Sequence, residues 1–168
     1  TLLKRVDNEA WQFIDWRDQG YIITTPSELQ DYEFIRNDIE TIGKTCVIDS
    51  IAYDAWNANE TVQFLEAAGL KMEAYGLQYK YTNAPMDKLE SLLIENKIEH
   101  SGHPVLRWMN SNTEAQMSGD LKRPTRSSAG AKIDGMVALI VAIGMWIIDQ
   151  SEPIKKAREI VVSIKRPT

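Results

Sequence analysis

The sequence predicts an α/β domain whose mixed sheet is flanked by helices. Three observations carry this expectation. Short runs rich in β-branched residues alternate with segments of helical periodicity. Glycines stand where those periodic segments stop, at Gly20, Gly43 and Gly69. Residues 133–148 are apolar on every face, which suits a buried helix, and their length favours a helix over a strand.

The elements follow in order. Trp11, Phe13, Ile14 and Trp16 read as a short helical turn with aromatic anchors, ended by Gly20. Residues 21–24 read as a short strand stopped by Pro26. Tyr32, Ile35, Ile39 and Ile42 give residues 29–42 near-helical spacing, with Gly43 as cap. Residues 46–54, CVIDSIAYD, have the length and composition of a buried strand. A second helix over 60–68 closes at Gly69, and 71–75 read as another strand. The helical pattern returns over 86–97 through Leu89, Leu92, Leu93 and Ile94, and Pro104 opens a further helix through Val105, Leu106, Trp108 and Met109. Residues 110–130 are polar and turn-rich, a loop or an exposed hairpin. Beyond Pro153, residues 160–164 read as a strand or a frayed helix.

At 168 residues, 43% apolar and 26% charged, the chain is expected to be one domain over 1–168, with 150–168 a flexible or basic tail. The lone cysteine, Cys46, excludes an internal disulfide framework and fits a reducing cytoplasm; beside Val47 and Ile48 it reads as a buried thiol. The apolar run over 135–148 is shorter than the ~20 residues that span a bilayer. No basic-then-apolar leader opens the chain, and because the first residue is Thr1 the chain is expected to be a fragment or processed piece. A net charge of −5 argues mildly against a purely electrostatic DNA binder. Yet residues 121–132 hold Lys122, Arg123, Arg126 and Lys132 without an acid, and the tail adds Lys155, Lys156, Arg158, Lys165 and Arg166.

Two aspartates could carry chemistry. Asp54 ends an apolar strand, where ligand-binding groups of α/β sheets gather, although an acid there can equally cap the next helix. Asp134 starts the apolar helix, where the helix dipole favours a carboxylate; it is either a simple helix-start acid or a partner facing Asp54. Converging carboxylates hold divalent cations that attract phosphate and activate water. His100 and His103 lack further zinc ligands and read as structural. Ser127 and Ser128 have no His-Asp partner nearby. Trp56 and Trp108 read as packing residues before base-stacking ones, and Asp49 as an exposed strand residue.

The segment 51–58, IAYDAWNA, resembles the second acidic motif of the nuclease domain of tailed-phage terminase large subunits, and 132–139, KIDGMVAL, resembles the third. Between them Pro85-Met86, the segment 100–110 (HSGHPVLRWMN) and Asn112 follow the same family in order and approximate spacing. The resemblance runs from about Trp16 to Ile148.

It implies a fold similar to ribonuclease H and a two-metal endonuclease that cuts concatemeric double-stranded DNA during genome packaging in the host bacterial cytoplasm. By the same resemblance Asp54 and Asp134 become ligands of two Mg²⁺ or Mn²⁺ ions. Lys122, Arg123, Arg126 and Lys132 are the candidate phosphate contacts, positioning the duplex without reading its sequence. Small-subunit and portal partners are implied as well. Nothing in Thr1 to Gly20 resembles the family's first acidic strand, so the domain is expected to lack its opening strands and to be nearly inactive alone. No G-x-x-x-x-G-K-[ST] motif marks an ATPase motor. The competing reading is a catalytically inactive DNA-docking or assembly module of the packaging machine.

Overall fold

The computed structural model describes residues 8–25, 32–54 and 59–151. Helix α1 (Asn8–Asp18) opens them, and Gly20 leaves it with φ +79°. The expected strand over 21–24 does not form. The amides of Tyr21 and Ile22 donate back to the Trp16 carbonyl, which folds this stretch onto the helix end rather than extending it. Phe13 and Trp16 meet Trp108 edge-on at ring separations of 5.3 and 5.5 Å, so Trp108 is a packing residue.

Helix α2 (Tyr32–Gly43) runs where the periodicity places it. Strand β1 is only Ile51–Tyr53, much shorter than the expected 46–54. The amides of Thr45 and Cys46 both donate to the Ile42 carbonyl, so they finish α2 instead of entering a sheet. The expectation of a buried thiol fails for the same reason: Cys46 is exposed, and Val47 beside it is 96% exposed. Asp49 is exposed, as expected, but outside the strand. Trp56 and the chain beyond Ser151 lie outside the described residues.

From β1 the chain passes through α3 (Asn59–Ala67), which buries Val62 and Leu65, to β2 (Met72–Ala74). The two strands pair in parallel, with Ile51 opposite Met72 and Tyr53 opposite Ala74. Helix α4 (Tyr79–Ile94) begins well before the expected residue 86 and holds Pro85 inside it. Pro85 supplies no N–H to the carbonyl four residues back, Tyr81; the buried Tyr75 hydroxyl donates to that carbonyl at 2.9 Å.

Helix α5 (Pro104–Ser111) carries its proline in the first turn. Residues 110–130 resolve into the exposed hairpin, β3 (Thr113–Ser118) and β4 (Leu121–Arg126), antiparallel and turning at Gly119, φ +58°. Helix α6 (Asp134–Ser151) is the expected apolar helix. It packs on α4 through Met86, Leu89, Met136, Ile140 and Ile143, with Leu106 and Met109 of α5 against the same cluster. The observed class is therefore α/β, with one parallel and one antiparallel strand pair among the described residues.

The hairpin is fastened to α4 at one residue. The Lys122 amide donates to Asn83 Oδ1 at 2.9 Å, and the hydroxyl of Thr82, fully buried, lies 3.1 Å from the Lys122 carbonyl. The Lys122 ammonium reaches back to α4 as well, 2.7 Å from Asp87 and 2.8 Å from Glu90.

Candidate active site

The ladder between β1 and β2 ends with the Tyr75 amide donating to the Tyr53 carbonyl at 2.8 Å, and Asp54 is the first residue after the strand. It stands at the carboxyl end of a parallel strand, on the way to α3, where α/β sheets place their ligand groups. Asp134 enters from another direction. It is the first residue of α6, which packs against β1, and the first turn of a helix favours negative charge.

Asp54 and Asp134 line one open cleft of about 660 Å³. Arg123 and Arg126 of β4 are among its other lining residues, with Tyr53 and Val137. Both aspartates are solvent-exposed. Arg123 is held in place: its Nε donates to Gln116 Oε1 at 2.9 Å, and its guanidinium lies 4.9 Å from the Tyr79 ring centroid.

The four expected phosphate contacts thus divide. Arg123 and Arg126 face the cleft, whereas Lys122 and Lys132 are not among its lining residues. The Lys122 side chain is only 12% exposed and is engaged by α4. Burial works against its charge, but the hydrogen bonds to Asp87 and Glu90 outweigh burial and raise its pKa. Lys132 is exposed, and its carbonyl accepts a hydrogen bond from Asn112. His100 and His103 keep structural roles, His100 Nδ1 accepting from the Gly102 amide and His103 meeting Tyr21 edge-on.

The donor set suits a hard divalent cation that keeps most of its water, as Mg²⁺ does on one or two carboxylates. Among the described residues, no group of three or more His, Cys, Asp or Glu side chains is placed to hold a metal.

Sequence reasoning gave no part to Thr82 or Asn83, and it named Tyr53, Met109 and Asn112 only within helical or family-like segments, because their contacts depend on which elements touch. Gly135, directly after Asp134, was a readable hint: a Cβ there would come within 2.9 Å of Met109 Sδ.

A strand-end acid and a helix-start acid thus line one open cleft together with two arginines. Comparison with known families identifies the domain that carries it. The model for the terminase large subunit, endonuclease domain, matches residues 2–152, and the chain belongs to that family. It is 30% identical over 148 residues to the terminase large subunit of Enterobacteria phage HK97, covering 86% of this chain and 29% of that protein. It is 25% identical over 146 residues to protein YmfN of Escherichia coli strain K12, covering 85% and 32%. The crystal structure of the HK97 bacteriophage large terminase superposes with a TM-score of 0.75 at 29% identity, over 86% of this chain and 31% of that one. The chain spans about three-tenths of the length of these relatives. None of its described helices is long and apolar enough to cross a membrane.

Proposed function

We propose that this domain is the nuclease part of a phage DNA-packaging terminase, hydrolysing phosphodiester bonds of double-stranded DNA with Asp54 and Asp134 as its metal-holding carboxylates. The observation that supports this reading is that these two acids, distant in sequence, line the same cleft as Arg123 and Arg126. A ribonuclease H-like arrangement and the use of Mg²⁺ or Mn²⁺ agree with it. When bound, such an ion supplies a Lewis acid toward a phosphate oxygen and a water of lowered pKa.

The chain's own residues do the rest. Arg123 and Arg126 neutralise phosphate charge and help to set the duplex at the cleft, contacts that carry no base information. Asp54 and Asp134 supply the negative charge that draws a cation into the cleft. A second ion would need more carboxylates than the described residues bring there. In the same reading the small terminase subunit, the portal and an ATPase motor domain are the working partners, in the host bacterial cytoplasm.

The test is a plasmid-cleavage time course with Mn²⁺, run on this chain and, as the parent for the substitutions, on a version extended upstream to include the family's opening strands. Asp54→Asn and Asp134→Asn should each abolish cutting, and chelation should stop the parent chain. Cutting that survives both substitutions would overturn the assignment. The competing reading is an inactive DNA-docking module. That alternative gains if the parent binds duplex DNA without ever nicking it.

A further inference from the structure

We propose that Asn112 and Met109, from the end of α5, are positioning residues that fix Asp134 from both sides. This rests on the reading of Asp134 as a metal-holding carboxylate. The Asn112 side-chain amide donates to the carbonyl of Lys132, two residues before Asp134, at 3.2 Å. The amide of Gly135, one residue after it, donates to Met109 Sδ at 3.1 Å.

Each contact answers a local need. The first amides of a helix have no intrahelical acceptor and normally take one from the residue preceding the helix. Here that residue is Ile133, whose side chain has no acceptor, so the thioether of Met109 serves instead. Glycine suits the close approach, since a Cβ at 135 would stand 2.9 Å from Met109 Sδ and 3.3 Å from Leu106 Cδ1 and would push the thioether aside. On the other side, the connection from β4 to α6 is tied to the same turn twice. The Ser127 amide donates to the Asn112 carbonyl at 2.9 Å, and the Asn112 side chain holds Lys132. Asn112 is itself set by its own amide, within 3.2 Å of the Trp108 and Met109 carbonyls. The Thr113 hydroxyl also donates to the Met109 carbonyl at 2.7 Å. Asp134 thus begins a helix whose entry is anchored on a rigid neighbour, and supports of this kind set how well a carboxylate presents itself to a metal.

The experiment uses the whole 168-residue chain with Mn²⁺ alone as probe, read by water-proton relaxation, beside a thermal melt. Asn112→Leu removes the donor, and Met109→Leu keeps the side-chain volume while removing the acceptor. Each should raise the Mn²⁺ dissociation constant about 10-fold. Met109→Leu should do so with its melting temperature nearly unchanged. Asp134→Asn should abolish the enhancement of relaxation over that of free Mn²⁺. If Asn112→Leu fails to fold, Met109→Leu decides by the same readout. Parent-like Mn²⁺ affinity in Met109→Leu and in any folded Asn112→Leu, with Asp134→Asn still silent, overturns the positioning role and leaves the metal assignment standing. Parent-like binding by Asp134→Asn overturns both.

Discussion

The Tyr75 hydroxyl donates at 2.9 Å to the Tyr81 carbonyl, the acceptor that an amide at position 85 would serve if Pro85 had one. A residue just past β2 thereby satisfies a helix that a proline would otherwise weaken. Tyr75→Phe should lower the unfolding free energy by about 1 kcal/mol, the usual worth of one such bond. Urea denaturation checks this, and an unchanged midpoint would mean that solvent serves the carbonyl equally well.

Gly144 lies against the same tyrosine. A Cβ built there would touch the Tyr75 hydroxyl and stand 3.0 Å from its Cε2, and an aromatic ring buried to 8% exposure has little room to retreat. Alanine in mid-helix gains up to about 1 kcal/mol in propensity, while overpacking costs about 1–3 kcal/mol. Gly144→Ala should therefore melt earlier than the parent. A raised melting temperature would show that α6 can shift away.

Lys122 should prove structural. Lys122→Met removes its ion pairs with Asp87 and Glu90, whose side chains are 59% and 58% exposed, so the destabilisation should be only about 1 kcal/mol. The salt dependence of DNA binding should stay as it was. A flatter slope in this variant would return Lys122 to the DNA surface.

Arg123 and Arg126 should behave in the opposite way. Arg123→Gln with Arg126→Gln should flatten the log–log salt slope by about 0.9 for each phosphate that is no longer neutralised, across all sequences tested. Folding stability should change little by comparison. An unaltered slope would remove both arginines from the DNA-binding surface.

Stability should fall in alkali. Tyr75 is raised above its ordinary 10.0 by burial. Lys122 is raised above 10.5 because its hydrogen bonds to Asp87 and Glu90 overcome the burial that opposes its charge. A group whose pKa is raised in the folded state stabilises fully below its unfolded value, and that contribution is lost as pH climbs through the folded value. Melting temperature should thus begin to drop above about pH 10, and Tyr75→Phe with Lys122→Met should flatten the decline. A double variant as steep as the parent would place the alkaline loss elsewhere.

Much of this molecule was legible in one dimension because its signals are local. Helical spacing marked α2 and α3, the proline at 104 marked the start of α5, and the apolar run marked α6. The motif segments around Asp54 and Asp134 pointed to the terminase family that the chain proves to belong to. Where two elements compete for the same residues, local signals fail. Residues 46–50 have a strand's composition, but the Thr45 and Cys46 amides close α2 on the Ile42 carbonyl, and the extended pairing starts only at Ile51. Tyr21 and Ile22 lose their strand in the same manner, to the Trp16 carbonyl.

The basic stretch shows the division most clearly. Composition determined that Lys122, Arg123, Arg126 and Lys132 lie close together in sequence ahead of an acid. Only the docking of β4 on α4 decided that Lys122 turns to Asp87 and Glu90 while Arg123 and Arg126 line the cleft. The order of residues sets which charges and apolar faces exist. A contact such as Thr82 with Lys122, or Met109 with Gly135, joins segments far apart in the chain, and packing chooses among the partners that no periodicity ranks.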